Sequence, residues 1–494
     1  TLYGVYELLG HMLGYEMYAP DCYSLDKNVT ELKLMNYDVT EKPDYAKRLE
    51  GYKFVRDDAT CLSNFRQSSY LNSFMFVNGR EVHNSFNYLP PEKFSAEHRS
   101  WYSEGMEQLC YTAHGNKEEY EAMLEESFKV MKQVIIQSPE LDTITFTQQD
   151  IKVWCTCDTC KASYNKYGTD AAVVIKFCNA LNKKVRAWMD SDEGKEYKRD
   201  LAILFFAYYT TVPAPVKLTE NGYVPIDDTV KCDEGVYAFY APLPLDYTSS
   251  IYGEANRDYK ENFEKWAAVS DRTYVWVYST NFQHFLAPYD NFSSMQELYN
   301  FVRGTKAYML YDQSQMNQNG GATGFHVLKA YLTAKLQWNT QADYVELIDN
   351  FFANYYGRAV EPMRKYFDEL RVHIAKLKAQ GVYGGRESIY QDMSDISMWQ
   401  LPILERWNGY IDEALNEIEA VKNIDNAAYE TYVKHVVQER VFLNYMFIEK
   451  YSAKFSVVEV EEMKKEFISD VTLVGLSNTG EHRDINDLIK IYSE

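Results

Sequence analysis

Short, nearly unbroken apolar runs recur along the first part of the chain, separated by amphipathic stretches of helical period. Leu201–Tyr209 (LAILFFAYY), Gly235–Ala241 (GVYAFYA), Thr273–Ser279 (TYVWVYS) and Ala307–Tyr311 (AYMLY) each predict a strand buried on both faces. Ile144 and Phe146, among the β-branched Thr143, Thr145 and Thr147, predict another, ending at Gln148, Gln149 and Asp150. Phe74–Val77 and Val82–Tyr88 predict a strand or two before a proline-stopped loop, Met106–Thr112 predicts a further short strand, and Thr30–Tyr37 predicts another nearer the start. Helical spacing marks Glu118–Gln137, Asp170–Trp188, Tyr259–Ala268 and Ser293–Val302 between them.

Strand, loop and helix in repetition predict an α/β chain built on a (β/α)8 TIM-type barrel. Pro43–Arg48 opens it, and the barrel is expected over residues 41–324. Before it, residues 1–40 carry a helical apolar segment stopped by Gly14 and Pro20, the end of an N-terminal α/β domain or a linker. From Phe325 the pattern becomes purely helical, with Phe325–Leu336, Tyr344–Tyr356, Glu361–Lys378, Trp399–Val421 and Ala427–Tyr451. Residues 325–494 are therefore expected to form an α-helical C-terminal region.

The length of 494 residues suits a barrel of about 250 residues with additions. A net charge of −21 argues against nucleic acid as partner, since phosphate binding needs clustered Lys and Arg. It argues equally against anionic membranes, and no apolar run approaches the roughly 18 residues that span a bilayer. Thr1 is not an initiator, so upstream sequence is expected to have been removed, and no signal peptide is visible. Tyrosine is abundant, with 43 Tyr beside 25 Phe and 8 Trp. Rings with a polar edge suit sugar faces, and a lineage that simply favours Tyr over Leu would give the same count.

Catalytic barrels carry their chemistry at the C-terminal ends of strands, which singles out Gln149 and Asp150. A carboxylic acid that protonates a leaving oxygen needs a raised pKa, which burial beside an aromatic such as Trp154 supplies. Gln149 can donate and accept, as an acetamido contact requires. The alternative is that Asp150 only caps the following turn. Asp312, Asp246 and Glu254 follow later strands and are candidates for a second carboxylate. His83 lies beside a proline-ended loop, and Trp276 lies within a strand whose register decides whether it floors a site or packs.

Cys155, Cys157 and Cys160 form C-x-C-x-x-C, and Cys110 ends the strand expected just before. Structural zinc, two disulfides and unpaired thiols all remain open for this group. It offers no open coordination position, so a catalytic cofactor is not expected. No G-x-S-x-G, P-loop, G-x-G-x-x-G after a strand or H-E-x-x-H occurs, against serine hydrolases, nucleotide enzymes and zincins.

TLYGVYELL followed by LGYEMYAP resembles the junction between a small N-terminal domain and the barrel of α-glucuronidase-like and hexosaminidase-like glycosidases. PDYAKR, HNSFNYLPP, QLCYT, ITFTQQD with CTCDTC, and AKLQWNTQADYVELIDNFFANYYG resemble the domain of unknown function 4838 family over roughly residues 1–370. Members of that group are assigned to glycoside hydrolase family 163, endo-β-N-acetylglucosaminidases acting on complex N-glycans. The resemblance implies a glycosidase whose partner is an oligosaccharide or glycoprotein glycan, secreted or at the cell surface of a bacterium. Its amide-Asp pair corresponds to Gln149–Asp150, its cysteine to Cys110 and its loop histidine to His83. The expected mechanism has Asp150 as general acid. The substrate's 2-acetamido oxygen attacks the anomeric carbon, held by Gln149 with Asp312 or Tyr311, while Trp276 and Tyr278 stack on the sugar. A two-carboxylate glycosidase on a uronic acid or other hexoside, and a non-catalytic carbohydrate-binding barrel, are the alternatives.

Overall fold

The computed structural model describes residues 2–26, 28–31, 36 and 38–494. Its centre is a sheet of six parallel strands: β1 (Lys47–Glu50), β2 (Thr143–Thr145), β3 (Ala202–Ala207), β4 (Val236–Tyr240), β5 (Thr273–Tyr278) and β6 (Ala307–Gln313). The order is β1-β6-β5-β4-β3-β2, so from β2 to β6 each strand lies beside the next, and β1 lies beside β6 at one edge with β2 at the other. Every residue of β3, β4 and β5 is buried, as expected for parallel strands covered on both faces.

The sheet curls until its outer strands approach. Lys47 Nζ of β1 donates to Thr143 Oγ1 of β2 at 2.7 Å and pairs with Asp142. Irregular chain, not strand, fills the rest of the gap. Ser68 N–H donates to Arg48 O at 2.7 Å on one edge, and Met75 N–H donates to Thr143 O at 2.9 Å on the other. These bonds occupy edge groups that would otherwise be left unpaired.

The strands expected at Phe74–Val77, Val82–Tyr88 and Met106–Thr112 are therefore absent. Val77 and Arg80 form one bridge across a tight turn, Ser85–Tyr88 is a helical turn, and Leu109 bridges Tyr102. Six strands curl as an incomplete barrel where eight were expected. Leu32, Leu34 and Met35, on which the expected strand Thr30–Tyr37 rests, lie outside the described residues.

The sequence-predicted helices are present as Leu2–Leu13, Lys117–Gln137, Ala171–Met189, Arg257–Val269 and Met295–Arg303. Beyond the sheet come His326–Trp338, Tyr344–Tyr355, Val360–Ala379, Leu401–Glu419 and Asn426–Tyr451. Further helices include Asp158–Tyr167, Val457–Val474 and Ile485–Ser493, with short ones such as Ala59–Asn64. One hydrophobic core runs from Met17 to Tyr451 and joins sheet to helices. The last helices pack in a second cluster around Val441, Phe467 and Val471. Among the described residues no helix is long and apolar enough to cross a membrane.

Two features of this packing govern the site. Parallel register puts Trp276 level with Tyr311, Tyr278 with Gln313, and Asp312 with both Val277 and Glu50. Since side chains alternate across a strand, Trp276 and Gln313 share one face and Asp312 takes the other. In addition, a short hairpin, Asn478–Gly480 with Arg483–Asp484, folds back from the last helices. Phe285 N–H donates to Thr479 O and Glu481 N–H to Phe282 O, both at 2.9 Å, so the hairpin docks on the loop after β5.

Candidate active site

A cavity of about 320 Å³ opens beyond the C-terminal ends of the strands. Its walls include His83, Asp150, Tyr208, Trp276, Tyr278, Tyr390 and Glu481. The sheet supplies the floor. The Trp276 indole N–H donates to Gln313 Oε1 at 2.9 Å, which fixes the ring, and Phe206 and Phe239 pack against it at 5.9 and 5.5 Å.

Asp150 stands exposed on the loop after β2, not partly buried, and the ring beside it is Tyr208. The Tyr208 hydroxyl donates to Asp150 Oδ1 at 3.1 Å. Trp154, expected to be that neighbour, is instead stacked on Tyr111 at 5.6 Å. The Gln149 side chain serves the fold. Its amide nitrogen donates to Ser85 Oγ at 2.9 Å and His83 O at 3.2 Å, which removes it as the donor for a substrate acetamide. Its backbone forms a reciprocal pair with the Gln108 amide, at 3.0 and 2.9 Å.

His83 reaches the cavity from the loop in the barrel gap, on a left-handed backbone with φ 50°. Its Nδ1 lies 2.9 Å from Gln148 O, so that nitrogen carries the proton and donates. Burial outweighs the pull of Asp150 and lowers the imidazole pKa, so the ring is neutral at neutral pH.

Glu481 is the second carboxylate in the cavity, and no sequence signal pointed to it. It comes from the C-terminal hairpin, far down the chain from Asp150. Burial and then the negative charge of Asp150 raise its pKa, against the opposing effect of His482. Tyr390 is pushed up to about 12 by burial, then by Glu481, Tyr209 and Asp150. Tyr208 also escaped the sequence reading, although it sits at the end of LAILFFAYY, where a strand leaves the sheet.

Three expected second carboxylates lie elsewhere. Asp312 is the sixth residue of β6, does not follow it, and is buried on the face away from the cavity. The Tyr299 hydroxyl donates to it, and burial pushes its carboxyl up to about 6. Asp246 caps its own turn, accepting from Thr248 N–H at 3.0 Å and Thr248 Oγ1 at 2.7 Å. Glu254 is exposed and pairs with Arg257 at 3.0 Å. Tyr311 is buried beside Trp276, 4.7 Å away on the neighbouring strand, its hydroxyl donating to Met316 Sδ. Neither Asp312 nor Tyr311 is among the residues that line this cavity.

The cysteine group does assemble, although Cys110 leaves a turn and not a strand. Cys110 Sγ lies 3.8 Å from Cys157 Sγ and 3.7 Å from Cys160 Sγ. Cys155 Sγ lies 3.9 Å from His114 Nε2, and all eight cysteines of the chain are unbridged.

No curated protein matches the chain. Two solved structures resemble it at low similarity. CpGH84B shares 12% identity at a TM-score of 0.33, over 76% of this chain, which spans 61% of that one. A GH138 enzyme targeting pectin rhamnogalacturonan II shares 9% identity at a TM-score of 0.35, over 92% of this chain and 67% of that one. The family model described as domain of unknown function (DUF4838) matches residues 20–368, which include β1 to β6, the Gln149–Asp150 loop and the cysteine group. The chain belongs to the DUF4838 family.

Proposed function

We propose that the chain is a glycoside hydrolase whose sugar ring lies on Trp276 between Asp150 and Glu481. The observation that carries this reading is the pairing of two unlike carboxylates in one aromatic-walled cavity. Glu481, its pKa raised by burial and by Asp150, is suited to hold a proton, while Asp150 stands exposed across the cavity. Two carboxyl groups in such different settings suit an acid and its partner. Glu481 delivers its proton to the glycosidic oxygen as the bond from that oxygen to the anomeric carbon breaks. Asp150 stabilises the positive charge on the sugar, and water then attacks the anomeric carbon as its proton passes to the Glu481 carboxylate, which restores the acid. This assignment moves the proton from Asp150 to Glu481, because Asp150 lacks the buried setting that a proton donor needs.

A second version keeps β-linked N-acetylglucosamine as substrate, with the acetamido oxygen as nucleophile. It is favoured by the Tyr208–Asp150 hydrogen bond, which holds a carboxylate where it can accept from an acetamide N–H. Gln149 has no part in it. Incubation with a complex N-glycoprotein, beside a panel of aryl glycosides with and without a 2-acetamido group, separates the versions. Turnover confined to acetamido sugars supports the second, and turnover of other hexosides supports a protein carboxylate partner. No cleavage of any glycoside, with no sugar-dependent change in tryptophan fluorescence, overturns both.

A further inference from the structure

We propose that Cys110, Cys155, Cys157 and Cys160 hold a structural zinc ion that clamps the Asp150 loop to the preceding turn. Zinc takes four thiolates at about 2.3 Å, and the edge of that tetrahedron is about 3.8 Å. The Cys110 sulfur lies 3.8 Å from that of Cys157 and 3.7 Å from that of Cys160. A disulfide brings sulfurs to about 2.05 Å, and none of these four is bridged.

The surroundings position the sulfurs. His114 N–H donates to Cys110 Sγ at 3.3 Å, and Cys160 N–H donates to Cys157 Sγ at 3.4 Å. Cys157 is also the N-cap of Asp158–Tyr167, so the start of that helix fixes where its sulfur points. The turn that delivers Cys110 is specially shaped, with Ala113 and His114 both left-handed at φ 44° and 52°. Gly115 follows at φ 83°, and a Cβ there would lie 2.5 Å from Thr159 Oγ1. The turn is thus pressed against the helix that carries Cys160.

His114 is the rival for the fourth position. Its ligand atom and those of Cys110, Cys155 and Cys157 lie within 4.8 Å of one another. Its Nε2 is 2.9 Å from Tyr102 O, so this nitrogen donates its proton to the carbonyl. We assign the position to Cys160, which is buried and 3.7 Å from Cys110. With four protein donors the ion has no open site, so its role is to hold two loops together. Those loops are already joined by the reciprocal Gln108–Gln149 bonds, and the metal fixes their far ends.

The test is metal analysis of the full chain purified with reductant, without chelator. About one zinc per chain is expected. Cobalt in its place should give thiolate-to-metal charge transfer and the visible bands of a tetrahedral site. Cys160→Ser should lose the ion and His114→Ala should keep it. Cobalt spectra of wild type decide the matter if a cysteine variant does not fold. Reduced protein that binds neither metal, or native Cys110–Cys160 or Cys155–Cys157 disulfides in mass spectra, overturns the proposal. Loss of metal in His114→Ala with retention in Cys160→Ser overturns the four-thiolate set. Metal content does not depend on any substrate, so this result and that for hydrolysis are independent.

Discussion

The Tyr208 hydroxyl, carried at the exit of β3, donates to the Asp150 carboxylate on the loop after β2 at 3.1 Å. Neighbouring parallel strands thus deliver both partners to one mouth of the sheet. Asp150→Asn keeps the shape and removes the charge that stabilises the sugar cation, and should lower kcat by about 10²–10³-fold with little change in sugar binding. Tyr208→Phe should cost less, since the carboxylate survives its loss. Steady-state kinetics on a cleaved glycoside, with binding measured by calorimetry, reads both. Equal kcat in wild type and Asp150→Asn would sink the assignment.

Glu481 titrates above its ordinary range because burial and Asp150 both oppose its ionisation. Its protonated form therefore persists to higher pH and sets the alkaline limb of kcat/KM. Glu481→Gln should abolish that limb along with most turnover. In Asp150→Asn the residual limb should move to lower pH, because one of the two causes is gone. A limb that does not move means the two carboxylates do not interact.

Asp312 should mark the pH dependence of stability. Burial raises its carboxyl from 3.8 to about 6, so between those values the folded chain binds more protons than the unfolded one. Stability from this group is lost as pH rises through that window. Asp312→Asn should therefore gain on wild type as pH rises from about 4 to 6. Denaturant unfolding of both proteins across that range gives the difference, and a flat difference would contradict the buried setting.

The C-terminal helices should matter to the cavity at a distance. Arg440 binds Asp470 through Nε and a terminal nitrogen, both at 2.9 Å, and joins Asn426–Tyr451 to Val457–Val474. The hairpin with Glu481 follows directly. Asp470→Ala leaves a largely buried guanidinium paired with Glu466 at 2.7 Å, and should cost about 3 kcal/mol. Thermal unfolding reads the loss of stability, and a parallel fall in kcat would tie these helices to the position of Glu481. An unchanged melting temperature would show that Glu466 alone suffices.

Long apolar runs such as LAILFFAYY and TYVWVYS announced their strands because parallel strands are buried on both faces and need no polar alternation. The helices from Phe325 to Tyr451 were equally plain from their periodicity. Residues 74–112 misled, since Phe74, Met75 and Val77 are buried and apolar yet belong to a loop that bonds two sheet edges. Apolar composition reports burial there, and backbone pairing decides strand or loop.

The sequence by itself determined that β2 would lead into Asp150 and a cysteine group, and that Trp276 would lie in a strand. These are local facts, carried by residues a few positions apart. Only the tertiary structure decided which faces those residues show and what meets them. Strand register turned Asp312 away from the cavity and Trp276 toward it, since one step along a strand reverses the side. The docking of the last hairpin brought Glu481 into the cavity with Asp150. That encounter depends on the packing of all the intervening helices, and no spacing in the chain encodes it.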